Sequence, residues 1–207
     1  MSADFWNRIA ARYARDPISD MAGYQATLER TKHYLTPTAH VLELGAGTSS
    51  TALELASRVA RYHATDVSSE MVRIGRQKAE GTSIEITVAD ADAPELHTGD
   101  YDAVLAFNLL HLVPDPARTL AHVRKMLGPG GVFISKTACL GDAALARRSL
   151  IGAMIPIMQV LGKAPRPVHF LRGPALLEMI RAAGFDILEE TSSGAALPRH
   201  YIVARKV

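Results

Sequence analysis

The chain has 207 residues, 48% of them hydrophobic and 21% charged, with 15 Gly and 11 Pro, a composition that excludes a largely disordered, collagen-like or small disulfide-stapled protein. The formal net charge is only +2 with histidines neutral, which gives no electrostatic case for a nucleic-acid partner. Cys139 is the single cysteine, so an intrachain disulfide is excluded, a thiolate zinc site is not expected, and a reducing cytoplasm is the default compartment. The first residues, Met1-Ser2-Ala3-Asp4, lack the basic stretch and apolar run of a signal peptide. The most apolar stretch, Ser149 to Gly162, is broken by Pro156 and is shorter than the roughly 20 residues that span a bilayer, so no stable membrane insertion is expected. At this length one domain is predicted.

Phe5, Ile9 and Tyr13 recur four apart and predict a first helix that ends at Asp16-Pro17. A second helix is expected from about Asp20 to Leu35, ahead of Pro37. From His40 the rhythm changes. Val41 to Leu44 reads as a strand closed by Gly45-Ala46-Gly47; Ala52 to Ala60 then has helical spacing, with hydroxyls at Thr48 to Thr51 to cap it. Arg61 to Thr65 reads as a strand, Ser68 as the cap of a helix to about Ala79, and Ile84 to Val88 as a third strand. Tyr101 to Phe107 is the fourth strand and Pro116 to Leu127 a helix; Gly128 to Gly131 is a turn and Val132 to Ser135 the fifth strand. A helix with a break at Pro156 is expected from Asp142 to Leu161, a loop at Pro165 to Pro167, and a helix from Pro174 to Ala183 closed by Gly184. Phe185 to Glu190 and Tyr201 to Arg205 form a last pair joined by a Ser/Gly/Pro loop. Strands alternating with helices predict a parallel sheet covered on both faces, and the closely spaced final pair predicts one antiparallel strand.

In such a sheet ligands bind beyond the carboxyl ends of the strands. Four of those ends carry suggestive residues: Glu43 to Gly47, Asp66-Val67, Asp90-Ala91 and Asn108. Gly45 and Gly47 allow a tight turn and close approach of backbone to ligand. Asp66 follows Gly47 at the separation of roughly 20 residues expected for a carboxylate accepting from ribose hydroxyls. A nucleoside-containing cofactor follows from this spacing. A dinucleotide usually wants a third glycine or alanine where this chain has Ser50, and Glu43 suits a cationic ammonium and sulfonium better than a pyrophosphate. No Tyr-x-x-x-Lys pair is present. S-adenosylmethionine is therefore favoured, with a nicotinamide oxidoreductase kept as the lesser reading.

The segment Val41 to Thr48 resembles the first motif of the class I S-adenosylmethionine-dependent methyltransferases, and the likeness extends through ATDVSSEMV (64–72), VADADAPEL (88–96), YDAVLAFNLLHLVPDP (101–116), LGPGGVFIS (127–135) and AAGF (182–185). Its Leu-x-His-Leu after the fourth strand is similar to the small-molecule type. The resemblance implies a three-layer Rossmann-like α/β sandwich with a seven-stranded, mostly parallel sheet and an antiparallel last strand, matching the strand count above. It implies that Gly45, Ala46 and Gly47 line the methionine moiety with Glu43 reaching it directly or through water. It further implies Asp66 on the ribose, Val67 packed on the adenine, Asp90 on its amino group, the Ala91 amide on a ring nitrogen, and Phe107 and Asn108 bordering the methyl. Where the family often has glycine, this chain has Ser49.

Methyl transfer from a sulfonium needs alignment more than a dedicated base. His111 is the best-placed proton acceptor by sequence, with Tyr13 and His169 behind it; a merely packed histidine is as good a description of His111. No metal site is expected. The loop Asn108 to His111 lacks the Asn/Asp-Pro-Pro-aromatic pattern of enzymes that methylate exocyclic amines. The chain is divided into N-terminal helices (1–38) that could act as a lid, a cofactor core (39–137), an apolar helical insertion (138–172) and a C-terminal helix and strand pair (173–207). The insertion reads as a cap over a small, partly hydrophobic acceptor, or equally as a helix packed on the sheet or a contact in a homodimer. A non-catalytic module that binds S-adenosylmethionine is the alternative to an enzyme.

Overall fold

The structure, a computed structural model, describes residues 3–194 and 196–207. Met1 and Ser2, and Ala195 in the last loop, lie outside the described residues. Strands β1 (His40–Leu44), β2 (Arg61–Asp66), β3 (Glu85–Val88), β4 (Tyr101–Phe107), β5 (Leu127–Ala138), β6 (Phe185–Ser193) and β7 (Arg199–Lys206) form one sheet in the order β3-β2-β1-β4-β5-β7-β6. The pairs among β1 to β5 are parallel, while β7 runs antiparallel to both β5 and β6.

The period-2 alternation of the strands sorts their side chains to two faces. Leu42, Leu44, Val104, Ala106, Phe133 and Ile202 share a cluster with Leu120 and Val123 of α5 (Pro116–Met126) and Leu176 and Ile180 of α7 (Gly173–Ala182). Val41, Ala103, Leu105, Ile134 and Val203 point the other way, onto Leu28 of α2 (Met21–Lys32), Ala52 and Leu55 of α3 (Ser50–Leu55) and Val72 of α4 (Ser69–Lys78). Each fully buried leucine contributes about 1.5–3 kcal/mol of transfer free energy. Helix α1 (Ala3–Arg15) packs on α4 through Ala10, Met71 and Ile74. Its Asn7 Oδ1 accepts from Ser68 Oγ at 2.6 Å and from Glu70 N at 3.2 Å. Ser68 in turn accepts from Met71 N, as the sequence led us to expect.

Several boundaries differ from the sequence reading. Helix α2 stops at Lys32 and starts after Asp20, whose carboxylate caps it through Gly23 N. Helix α3 covers only Ser50–Leu55 and gives way to a 3₁₀ turn at Ala56–Arg58. None of the expected hydroxyl caps forms there, because the residue at the cap, Ser49, has φ 59, and a side-chain cap requires extended backbone. The Gly128 to Gly131 turn lies inside β5. Tyr101 faces Leu127 and Ala103 faces Val132, so the glycines bulge out between two paired positions. Helix α6 (Leu145–Val160) runs through Pro156 without a break, and none of its residues is buried. Among the described residues, no helix is long and apolar enough to cross a membrane.

Candidate functional site

The glycine turn after β1 is shaped by backbone geometry that only glycine enters freely. Gly45 and Gly47 have φ 65 and 56, and a Cβ on Gly45 would lie 2.8 Å from Leu109 Cδ1. The turn is clamped to β2: Ala46 N donates to Thr65 O at 2.9 Å, and Gly47 N donates to Asp66 Oδ2 at 2.9 Å. The other Asp66 oxygen accepts from Ser68 N at 2.9 Å. Asp66 is 9% exposed. Burial raises its pKa, and the two amide donors work against that rise.

Glu43 is buried at the carboxyl end of β1, where Tyr62 Oη donates to its Oε2 at 2.8 Å. Burial lifts its carboxyl from the usual 4.5 to about 8; the Tyr62 hydrogen bond lowers it and the nearby Asp66 raises it. At neutral pH this acid is mostly protonated. A low-dielectric pocket holding such a group would release its proton to gain a cationic partner.

A cavity of about 470 Å³ opens beside the turn. Its floor is Glu43, Gly45, Ala46, Phe107, Asn108 and Lys136, and its roof is Tyr13, the 16–20 connection and Tyr24 of α2. Thus six residues singled out from sequence, Tyr13, Glu43, Gly45, Ala46, Phe107 and Asn108, line one cavity. Gly47, Asp66, Val67, Asp90 and Ala91, at or just past the carboxyl ends of β1, β2 and β3, lie outside its lining. Asp90 Oδ1 accepts from Asp92 N at 3.0 Å, and Ala91 is buried in the core below. Asn108 is held at φ 55 with its N–H on Lys136 O at 2.6 Å. No residue of the 138–172 insertion lines the cavity.

About half of the Tyr13 surface meets solvent, but its hydroxyl end is crowded by protein. That crowding, then the carboxylates Asp66 and Glu43, raises its pKa. His111 lies away from the cavity lining, with a buried Nδ1 that has no hydrogen-bond partner. Burial first, then Arg199 and His169, push it down to about 4. His169 is engaged by Val113 O through Nε2 at 2.9 Å.

The sequence reading missed Lys136, Arg199, Lys78 and Tyr24, all of which line the cavity. A lysine inside the apolar run Val132 to Thr137 was the available signal. Tyr24 Oη is buried without a hydrogen-bond partner, Thr51 falling short of bonding geometry.

On the opposite face, Cys139, Asp142 and His200 bring one potential ligand atom each within 4.8 Å of one another. Asp142 Oδ2 already accepts from Gly173 N at 2.6 Å and lies 3.2 Å from His200 Nε2, and His200 Nδ1 meets Glu190 Oε1 at 2.8 Å. Burial pushes the Cys139 thiol up to about 12. The cluster braces β5, β6, β7 and the start of α7 against one another.

A glycine turn after the first strand, with acids at the tips of the next two, defines the class of open α/β sheets that bind nucleoside cofactors. The methyltransferase-domain family matches residues 41–131. The chain is 30% identical over 159 residues to a ubiquinone biosynthesis O-methyltransferase of Thiobacillus denitrificans, covering 73% of this chain and 66% of that protein. It is 32% identical over 132 residues to a highly reducing polyketide synthase of Leptosphaeria maculans, covering 56% of this chain and 5% of the synthase. The chain therefore spans about a twentieth of the length of such synthases. A solved S-adenosylmethionine-dependent methyltransferase of Methanosarcina mazei superposes with a TM-score of 0.72 at 21% identity, covering 86% of this chain and 96% of that one.

The chain belongs to the class I S-adenosylmethionine-dependent methyltransferases, and S-adenosylmethionine is its cofactor. The residues present fit that compound. The cradle at Gly45 has no room for a side chain, and the Glu43 and Asp66 carboxyls flank the turn, with the Asp66 oxygens held by the Gly47 and Ser68 amides.

Proposed function

We propose that the chain transfers a methyl group from S-adenosylmethionine to a small, partly hydrophobic acceptor seated in the cavity between α2 and the carboxyl ends of β4 and β5. The observation that carries this reading is the cavity itself, which joins the glycine turn to Phe107 and Asn108. When bound, the cofactor supplies an electrophilic methyl on a sulfonium centre.

The chain's own residues bind, orient and exclude water. Gly45, Ala46 and Gly47 lie along the amino-acid end of the cofactor, where Glu43 becomes a carboxylate facing its ammonium. Asp66 accepts from the ribose hydroxyls while its oxygens remain anchored by Gly47 and Ser68. Val67 packs on the adenine, and Asp90 with the Ala91 amide read its edge. Phe107 and Asn108 border the methyl, and the backbone strain at Asn108 holds its side chain at the junction of cofactor and acceptor. Tyr13 and the 1–38 helices close the roof as a lid over the 39–137 core.

No dedicated base is assigned. An imidazole held near pKa 4 and outside the cavity takes up protons weakly at neutral pH, and a phenol with a raised pKa stays protonated. Positioning then supplies the rate enhancement. The same reading takes no nucleic acid as partner, and places the chain in a reducing cytoplasm where its one thiol stays buried.

A screen of metabolite extracts with isotopically labelled cofactor tests the proposal. The expected result is a methyl increment on a small acceptor with release of S-adenosylhomocysteine. Cofactor binding without transfer to any acceptor would instead make the chain a sensing or binding module.

A further inference from the structure

The cavity has two chemically different ends. Strand order puts the glycine turn and the acids of β2 and β3 on one side, and β5 and β7 on the other. Phe107 of β4 is register-paired with Lys136 of β5, Lys136 with Tyr201 of β7, and Ala138 with Arg199. Lys136 and Arg199 are thus diagonal neighbours on the same face, about 7–8 Å apart at the backbone. Both line the cavity and both are half-buried. Glu43 on β1 is level with Leu105 of β4 and Ile134 of β5, so Lys136 stands two strands across, roughly 10 Å, and two residues further along, and Arg199 a further strand across.

Neither cation has a carboxylate partner. Lys136 Nζ donates to Gly23 O at 3.0 Å and to Thr27 Oγ1 at 2.7 Å, both neutral, which leaves one of its three donors unused. Among the described residues no acid forms an ion pair with either Lys136 or Arg199. The acids of the same cavity are engaged elsewhere: Asp20 caps α2 through Gly23 N at 2.9 Å, Asp16 lies 3.9 Å from Arg12, and Glu43 is held by Tyr62. Burial first, then the Arg199 charge, lower the Lys136 pKa against an opposing pull from Asp20, and the same guanidinium depresses His111. Half-buried cations that repel each other, with no carboxylate in direct ion-pair contact, are costly unless a ligand supplies one. The third cavity cation, Lys78, sits at the opposite end, donating to Thr48 Oγ1 at 2.8 Å beside the glycine turn. It lies at the glycine-turn end of the cavity, whereas Lys136 and Arg199 lie at the end away from that turn.

We propose that the methyl acceptor carries an anionic oxygen group, of carboxylate type, that docks between Lys136 and Arg199 and thereby presents its nucleophile to the Phe107–Asn108 border. The inference rests on the cavity being the methyl-transfer site.

Acetate and its neutral isostere acetamide are the probes. The isotopically labelled chain, saturated with S-adenosylhomocysteine, is titrated with each at constant ionic strength, and the amide resonances of Phe107, Asn108, Lys136 and Arg199 are followed. Saturable binding of acetate is expected, weakened at least fivefold in Arg199→Gln and in Lys136→Met, with no such response to acetamide and with S-adenosylhomocysteine affinity kept within twofold. Equal responses to acetate and acetamide, no saturable response to acetate, or acetate binding unchanged in both variants would overturn the proposal. A tenfold or greater loss of S-adenosylhomocysteine affinity in the variants would also overturn it, because the cations would then belong to the cofactor. Failure of the wild-type chain to bind S-adenosylhomocysteine at all would defeat the methyl-transfer reading itself.

Discussion

Ser49 and Gly75 occupy one another's space. Ser49 is fully buried in the left-handed region with its Oγ lacking a hydrogen-bond partner, and that Oγ lies 2.7 Å from the point a Cβ on Gly75 would take. Left-handed backbone costs a non-glycine residue about 1–2 kcal/mol, and an unmet buried hydroxyl adds to that. Ser49→Gly is expected to stabilise the chain by about 1 kcal/mol net, after the extra entropy of an unfolded glycine. Thermal denaturation should show a rise of about 2–4 °C; a fall would show that the serine's packing outweighs its strain.

The same pair predicts a strong non-additivity. Gly75→Ala alone forces a clash with Ser49 and should destabilise by about 1–3 kcal/mol. In the Ser49→Gly background the nearest remaining side-chain atom is Ile86 Cδ1 at 3.6 Å, so the alanine should be tolerated and its helix propensity gained. A denaturant double-mutant cycle checks this, and additive single effects would refute it.

Much of this arrangement was legible in the sequence, and the reasons are local. Val41 to Leu44 followed by two glycines gives a strand and a positive-φ turn, and period-2 runs such as Tyr101 to Phe107 give buried strands whichever helices cover them. The Ser68 cap is likewise nearest-neighbour chemistry. What stayed hidden depends on distant partners. The left-handed state of Ser49 depends on the room left by Gly75. The glycines after Leu127 are drawn into β5 because Tyr101 pairs beyond them. Lys136 and Arg199 lie more than 60 residues apart, and only the insertion of β7 beside β5 places them in one wall. The N-terminal helices were named from sequence as a possible lid; that they roof the cavity without the 138–172 insertion depends on contacts such as those of Lys136 with Gly23 and Thr27 of α2.

Protonation of Glu43 should be linked to cofactor binding. Its folded-state pKa of about 8 lies above the ordinary 4.5, so the folded chain holds more protons than the unfolded chain between those values, and this residue's contribution to stability falls as pH rises through that window. A bound cation reverses the preference. Calorimetry at pH 7 in buffers of different ionisation heat should show release of up to about one proton on binding S-adenosylmethionine, and affinity should rise from pH 6 to 8. Glu43→Gln should abolish both effects; equal proton release in that variant would contradict the assignment.

His111 makes the fold acid-sensitive. With its pKa near 4 in the folded chain against 6.5 ordinarily, the unfolded chain takes up the proton first, so stability is lost as pH falls through that interval. His111→Leu removes this loss together with the orphaned Nδ1. Urea midpoints should show the variant losing about 1–2 kcal/mol less than wild type between pH 7 and pH 5. Parallel losses would place the acid sensitivity elsewhere.

Asp66 carries the heaviest demand of any single side chain, since it fixes the glycine turn through Gly47 and is assigned the ribose. Titration calorimetry of S-adenosylmethionine into wild type and Asp66→Ala is therefore the most direct measurement. One equivalent should bind to the wild type, and the variant should bind more weakly by about 1.5–3 kcal/mol, the scale of hydrogen bonds to a charged group. An unchanged dissociation constant in Asp66→Ala, or a wild type that does not bind the compound, would contradict the account.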